Sequence, residues 1–191
     1  MFIRTAKRSF AALALLAAAL AGASAATETA WMVSPDKSRL IFNYSEDGAP
    51  AVGGFSRFKA DASFDPAAPE TARMALEIEM DSVELSDSLR TGFVKGDDWF
   101  DTADHPTATF ELTRMAPTQQ PSVFTVEGVL TIKGVSREIS APTLVVVDGD
   151  RALARGELSF DRRDFGVDGD VPLVTLGTDV TVVFSLVAKR G

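Results

Sequence analysis

The sequence contains no cysteine and a single histidine, and these two shortages exclude much of the chemistry that side chains perform. Without cysteine there can be no disulfide, no thiol nucleophile and no thiolate metal site. One histidine, His105, cannot supply the three or four ligands of a zinc site. It could serve as a general base. However, its place in a turn just before Pro106 is more typical of a solvated or capping loop residue.

Motifs of catalysis and phosphate binding are also missing. The sequence has no G-x-S-x-G elbow, P-loop, H-E-x-x-H pair or G-x-G-x-x-G turn. Acidic residues cluster over 97–104 and 161–170, but neither cluster has the ligand spacing of a calcium-binding loop. An enzyme built from this chain would have to use carboxylates, Arg162 or His105. The sequence therefore offers no recognised catalytic motif, and we expect no metal and no cofactor.

Positive charge is scarce, with 19 Lys and Arg against 27 Asp and Glu and a formal net charge of −8. Nucleic acids bind through Lys and Arg contacts to phosphate, so this balance predicts no nucleic-acid partner. It also disfavours electrostatic docking to anionic lipid. Solubility is the simpler reason for an acidic surface.

The first 25 residues have the pattern of a secretory signal peptide. Three basic residues precede an apolar run over 10–21. The small residues Ala23-Ser24-Ala25 then form the predicted cleavage site. The apolar run has only twelve residues, whereas a membrane-spanning helix needs about 20. We expect cleavage after Ala25, export to the periplasm, and a single folded domain over 26–191. Without the three basic residues the formal charge becomes −11.

Apolar and polar residues alternate with a period of two along most of the remaining chain, which is typical of strands with one buried face. Turn signals such as Lys133-Gly134 and Asp148-Gly149 separate the runs. Short connections favour an antiparallel up-and-down arrangement, and closing eight strands into a barrel hides the apolar face and removes both edges. The sequence thus predicts an all-β eight-stranded barrel with strands over 38–44, 54–65, 72–82, 107–114, 122–132, 135–147, 151–161 and 178–188.

The segment 86–104 lacks this alternation. Leu89 and Phe93 have helical spacing, and Ser86 or Asp87 could cap the helix. We therefore predict a short helical insertion between two strands.

The inward phase of the strands carries small and apolar residues, and no charge falls on this phase in the cleanest runs. Small residues such as Ala60, Gly128, Ala154 and Gly156 could leave a dry cavity for a hydrocarbon, or could mark the taper of a packed barrel. Trp99 and Phe100 could plug one end of the barrel or contact a ligand. The candidate ligand-binding residues are Phe42, Phe58, Ala60, Phe64, Met74, Ile78, Trp99, Phe100, Phe110, Leu130, Ala154, Phe160 and Phe184.

Several short motifs, in order along the mature chain, resemble those of the YceI family of secreted, lipocalin-like proteins. They are Trp31, Ser38, Phe42, Gly54-Phe55, Phe58, Phe64-Asp65-Pro66, Asp81-Ser82-Val83, Trp99-Phe100-Asp101, His105-Pro106-x-Ala108-Thr109-Phe110, Gly128-x-Leu130-Thr131-Ile132-Lys133-Gly134 and Arg162-x-Asp164-Phe165-Gly166. The gap over 86–98 resembles the branch often found beside cytochrome b561 genes.

This resemblance implies an extended eight-stranded barrel whose lumen holds the tail of an isoprenoid quinone or a related polyisoprenoid lipid. It implies a periplasmic carrier without catalytic residues, and a membrane cytochrome b561 as a partner. Two features depart from the family pattern. Lys37 stands where a histidine is usual, and the loop after Gly166 is short and lacks a tryptophan. The alternative functions are an interaction or stress-related protein with a packed barrel and, less favoured, an enzyme.

Overall fold

The computed structural model describes residues 30–169 and 174–191. These residues contain eleven strands and one α-helix, joined by loops and short 3-10 turns. The predicted signal peptide lies outside them. The elements are β1 (Ala30–Val33), β2 (Arg39–Glu46), β3 (Ala49–Phe55), β4 (Phe58–Ser63), β5 (Arg73–Glu79), β6 (Val83–Leu85), α1 (Ser88–Val94), β7 (Thr107–Pro117), β8 (Val123–Ile132), β9 (Val135–Asp148), β10 (Arg151–Asp161) and β11 (Asp179–Arg190).

The strand pairing closes one antiparallel ring. β11 pairs with both β1 and β2, β4 pairs with β1, and β3 pairs with β2. β5 pairs with β4 and β7, while β6 pairs with β3. β1 and β2 therefore occupy one strand position, as do β3 with β4 and β5 with β6. With β7 to β11 this makes eight positions, and the predicted eight-stranded up-and-down barrel is confirmed.

Three of the eight strands are interrupted, which the sequence analysis did not predict. The first break contains Pro35 and lies between β1 and β2. Ser38, only 3% exposed, stabilises this bend, because its hydroxyl donates to the Ser34 carbonyl at 2.8 Å and accepts from the Val187 N–H at 3.0 Å. The side chain thus holds the bent strand against β11.

Ser82 plays the same part where the β5–β6 strand bends. Its hydroxyl donates to the Glu79 carbonyl at 2.6 Å and accepts from the Arg57 N–H at 3.1 Å, so it links two neighbouring bends. Ser82→Ala should lower the free energy of unfolding by about 1–3 kcal/mol, because buried backbone groups lose their partner. Denaturant unfolding measures this. Ser140→Ala, at an exposed position on β9, is the control, and equal losses in the two variants would contradict the role of Ser82.

Two hairpin turns have a dipeptide with positive φ at both residues. Lys133-Gly134 (φ 51° and 73°) joins β8 to β9, which confirms the predicted hairpin. Asp47-Gly48 (φ 50° and 78°) joins β2 to β3 in the same way. Asp-Gly is a strong signal for such a turn, but this hairpin was not predicted from the sequence. The prediction of one continuous strand over 54–65 is wrong, because β3 ends at Phe55 and β4 begins at Phe58.

The barrel wall has a seam between β9 and β10. Their ladder runs from the connecting turn only as far as the pair Thr143 and Gly156. Pro142 follows on β9 and has no N–H to donate. Beyond it, the first half of β9 and the last residues of β10 form no pairs with each other within the described ranges, although each stays paired with its other neighbour. Phe165, 1% exposed, fills this seam and lies 5.0 Å from the Phe160 ring.

The insertion after β6 contains the predicted helix. The Asp87 carboxylate caps α1 by accepting from the N–H groups of Leu89 at 2.7 Å and Arg90 at 3.2 Å. Leu89 and Phe93 are 68% and 57% exposed, so the apolar spacing that predicted the helix does not face the core. Among the described residues, no helix has the length and apolar character needed to cross a bilayer.

Candidate ligand-binding site

A cavity of about 330 Å³ occupies the barrel interior. Its volume falls in the range of small-molecule sites, which is roughly 300–1,000 Å³. Every strand position contributes lining residues, and nearly all of them are apolar. The charged lining residues within the described ranges are Glu46, Arg73, Arg90 and Arg162. Of the two interpretations that the sequence left open, the open lumen is therefore the one that the structure supports.

Eleven of the thirteen candidate ligand-binding residues line this cavity: Phe42, Phe64, Met74, Ile78, Trp99, Phe100, Phe110, Leu130, Ala154, Phe160 and Phe184. Phe58 and Ala60 do not. Phe58 is 7% exposed and belongs to a buried cluster with Leu40 and Leu76, and Ala60 packs against that cluster. Their inward phase is correct, but neighbouring side chains cover them. Ligand contact at the eleven lining positions stays a prediction.

The inward glycines leave no empty space, contrary to the sequence interpretation. A Cβ at Gly128 would lie 2.3 Å from the Phe110 ring, and one at Gly156 would lie 2.5 Å from the Phe184 ring. Each phenylalanine therefore fills the room that the glycine leaves. The interpretation holds for the inward alanines Ala108, Ala152 and Ala154, which line the cavity, but not for Ala60.

Gly128→Ala should therefore lower the free energy of unfolding by about 1–3 kcal/mol, as overpacking of a core does. The new methyl would also meet the Glu111 carbonyl at 2.5 Å, and backbone cannot move as a flexible side chain can. Chemical denaturation measures the loss. Gly92→Ala is the control, since a Cβ in that exposed helical position meets nothing within 4 Å and should stabilise slightly. Unchanged stability at Gly128 would contradict the steric argument.

Trp99 and Phe100 pack at one end of the barrel and also face its lumen. The Phe100 ring lies 6.4 Å from Phe42 and 5.8 Å from Phe55, so it belongs to the core at one end of the barrel. Trp99 packs against the cluster around Phe165. Both also line the cavity. They are therefore wall residues of the lumen at this end.

Arg162 anchors the loop that covers the same end. Its guanidinium donates to the carbonyls of Val167 at 2.6 Å, Gly169 at 3.4 Å and Gly177 at 3.2 Å. It also lies 5.1 Å from the Trp99 ring centre, in cation–π geometry. The motif arginine that the sequence analysis singled out thus holds the loop after Phe165 against Trp99. Its position is structural.

The cavity reaches solvent beside α1. Arg90 and Phe93 on the helix line the cavity and are exposed, and Tyr44 and Glu46 line it from β2. Arg90 forms an ion pair with Glu46, whose side chain is only 15% exposed. Burial, together with the nearby Glu46 carboxylate, raises the pKa of the Tyr44 phenol above its ordinary value. We call this opening, formed by these four residues, the mouth.

The opposite end of the barrel is closed by packed side chains. Phe64 and Phe124 meet edge to face at 5.6 Å, and Met115 and Ala72 are buried beside them. Trp31 adds a hydrogen bond of 2.9 Å from its indole N–H to the Phe64 carbonyl. A ligand that enters at the mouth therefore meets an end packed mainly with apolar side chains, where, among the described residues, Arg73 is the charged lining residue.

His105 lies outside the cavity wall. Its backbone N–H donates to the Asp101 carbonyl at 2.8 Å, and its ring Nε2 is 3.9 Å from the Asp101 carboxylate. The ring packs beside the Gly134 turn, which agrees with its interpretation as a loop residue. Within 30–169 and 174–191, no cluster of three potential metal ligands exists.

Most of the mouth was not predicted from the sequence. Tyr44 and Glu46 lie at the end of a strand that the prediction stopped at 44, and Arg90 and Phe93 were noticed only for their place in the helix. Leu85 belongs to the unpredicted strand β6 and also lines the cavity. The Asp47-Gly48 turn was the available signal, because it extends β2 to the mouth.

An antiparallel barrel of eight strands with an apolar lumen, open beside a short helix and packed shut at the far end, defines a lipocalin-like class of barrel that holds hydrophobic ligands. The chain belongs to the YceI family, since the family model of the YceI-like domain matches residues 31–188. The fold and family expected from the sequence motifs are thereby confirmed.

Curated relatives and solved structures agree with this assignment. The chain is 28% identical to a UPF0312 protein of Azotobacter vinelandii over 185 residues, which cover 92% of this chain and 95% of the relative. It is similar to the crystal structure of BcnA from Burkholderia cenocepacia, with 31% identity, a TM-score of 0.76, and coverage of 82% of this chain and 99% of BcnA. A polyisoprenoid-binding domain from Saccharophagus degradans shares the fold, with 18% identity, a TM-score of 0.67, and coverage of 86% and 100%.

Proposed function

We propose that the protein is a periplasmic binding or carrier protein for a long-chain polyisoprenoid lipid, such as an isoprenoid quinone, with the tail in the barrel lumen. The observation that carries the proposal is the apolar cavity, open at the mouth and closed at the far end. The polyisoprenoid-binding domain that shares this fold adds support. Desolvating an apolar tail stabilises the complex by about 0.8 kcal/mol per buried methylene before ordering costs.

The periplasmic location rests on the pattern of the first 25 residues. Export would remove them and leave one domain over 26–191. Fractionation of a producing bacterium, with mass measurement of the purified chain, tests this directly. We expect a periplasmic protein that begins at Ala26. A chain that keeps Met1 and stays in the cytoplasm would rule out the location.

The proposal assigns no catalysis to the protein. The only histidine lies away from the lumen, and Arg162 is committed to three carbonyls. The alternative of an interaction protein with a packed barrel fits poorly with an open lumen of this size. A membrane cytochrome b561 as the partner stays a prediction from the resemblance over 86–98.

Organic extraction of the purified protein, followed by mass spectrometry, is the decisive experiment. We expect a co-purified prenyl lipid, and uptake of a long-chain ubiquinone by protein that has first been stripped of lipid. A protein that carries no lipid and takes up no prenyl chain from detergent would overturn the proposal. A lipid with a straight acyl chain in place of the prenyl chain would keep the carrier function but overturn the polyisoprenoid assignment.

A further inference from the structure

The two ends of the barrel differ strongly in charge. The described parts of the connections at the mouth end cover 46–48, 86–106, 133–134, 161–169 and 174–179. They carry eleven Asp and Glu against five Lys and Arg, a net charge of −6. At the closed end, 64–73, 117–122, 148–151 and 189–191 carry four of each, a net charge of zero. The acidity of the chain is thus concentrated where a ligand would enter.

The cations that line the lumen near the mouth are already engaged. Arg90 pairs with Glu46, and the Glu46 side chain is mostly buried. Arg162 donates to three backbone carbonyls and stacks on Trp99. Both arginines therefore already have partners at the mouth end, and both are included in its net charge of −6. Lys133, at the same end, donates to the carbonyls of Asp97 and Gly166.

We propose that the mouth selects ligands with an uncharged polar head, such as a prenyl alcohol or a prenyl quinone, and rejects prenyl phosphates and diphosphates. The inference rests on the proposed function, because it presumes that a prenyl tail enters the lumen. It adds the class of head group. A tail buried toward the closed end leaves the head between Tyr44, Glu46 and Arg90. The connections around this point carry a surplus of carboxylates, which repels an anion.

Simple electrostatics supports the selection. The charges that line the lumen are mixed, with Glu46 against three arginines, so the repulsion comes from the net charge of −6 on the surrounding connections. Summed surface fields of this kind change local ligand concentrations by about 10- to 1,000-fold. At 0.15 M salt the screening length is about 8 Å, so the carboxylates nearest the head group contribute most. Salt weakens repulsion of this kind, so the affinity for an anionic ligand should rise with salt. Salt would also weaken attraction of an anion by arginine, and the affinity would then fall. The sign of the salt dependence therefore separates the two cases.

The experiment compares ligands that share one tail. Geranylgeraniol, geranylgeranyl diphosphate and a ubiquinone with a tail of similar length compete for lipid-free protein against a fluorescent apolar probe. We expect the diphosphate to bind at least about tenfold more weakly than the alcohol at low salt. Its affinity should rise as salt increases, while the affinity of the alcohol and the quinone stays nearly constant.

Matched charge variants locate the effect at the mouth end of the barrel. Asp97→Asn, Asp98→Asn and Asp168→Asn together remove three charges. The first two carboxylates precede Trp99, and the third precedes Gly169, which lies against the Trp99 indole. All three are exposed, and no side-chain hydrogen bond or ion pair involves them among the described residues. The control combines Glu70→Gln, Asp148→Asn and Asp150→Asn, which remove the same charge from the closed end.

We expect the triple variant at the mouth end to bind the diphosphate several-fold more tightly than the natural protein does, with its affinity for the alcohol unchanged. The triple variant at the closed end should leave both affinities unchanged. A diphosphate that binds the natural protein as tightly as the alcohol, with affinity that falls as salt rises, would overturn the inference. Equal effects of the two triple variants would also overturn it.

Arg73→Gln tests the remaining lining cation, which lies at the closed end. A strong loss of diphosphate binding in this variant would contradict a position of the head group at the mouth. If no prenyl ligand binds at all, the proposed function fails, and that outcome is distinct from these.

Discussion

Ala154→Phe is expected to weaken binding of a long prenyl chain by about 100-fold or more while leaving a short chain almost unaffected. Ala154 is the fourth of the eleven residues of β10, on the side of the closed end, and lines the cavity. Its cross-strand neighbours are Leu186 on β11 and Val145 on β9. A ring at this position blocks the lumen between the mouth and the closed end. Excluding about five methylenes removes about 4 kcal/mol of transfer free energy. Titration with prenyl alcohols of increasing length measures the loss.

The matched control for this variant is Ala60→Phe. Both alanines face inward, but Ala60 packs against the buried cluster with Phe58 and does not line the cavity. The larger side chain there should overpack the core and lower the free energy of unfolding by about 1–3 kcal/mol. At Ala154 it should change stability by less, because it fills open space. Equal weakening of long and short chains by Ala154→Phe would contradict a lumen that holds the tail.

Phe165→Ala is expected to lower the free energy of unfolding by about 3–5 kcal/mol. Phe165 is 1% exposed and belongs to a cluster with Leu130 and Val167. It also closes the seam in the wall where the β9–β10 ladder has ended, so no backbone pairing can take over its role. We expect accelerated hydrogen exchange in the first half of β9 as well, since side chains alone separate this part of the lumen from solvent.

Two further variants keep this prediction testable if the alanine variant does not fold. Phe165→Leu retains much of the volume and should show a smaller loss with the same local increase in exchange. Phe93→Ala removes an aromatic ring that is 57% exposed on α1, and its effect on stability should stay within about 0.5 kcal/mol. A loss at Phe165 no larger than that at Phe93 would show that the seam is held by other contacts.

Alternation of apolar and polar residues predicted the strands well wherever both faces of a strand have a constant environment. β7 to β11 follow the predicted runs closely, because each is long, unbroken and buried on one side. The Lys133-Gly134 hairpin was equally clear, since positive φ at two successive residues leaves few alternatives. The helical insertion was also visible, with Asp87 as its cap. These features depend on local geometry, which the sequence encodes residue by residue.

The bends were harder to predict, because they depend on partners far along the chain. Ser82 lies in a run that reads as one strand, and its importance comes from a hydrogen bond to Arg57, 25 residues away. The seam at Pro142 is similar. Proline marks a place where a ladder can stop, but the packing of Phe165 decides what fills the opening.

The composition alone determined that this protein would have no disulfide and no thiol or thiolate-metal chemistry, and the periodicity predicted a β-barrel. The tertiary structure decided which inward residues face empty space. Gly128 and Ala154 share the inward phase, yet a phenylalanine covers the glycine and the lumen touches the alanine. Periodicity reports only the side of a sheet on which a residue lies. Whether that side is filled depends on the volumes of side chains brought across from other strands, and their arrangement exists only once the barrel has closed.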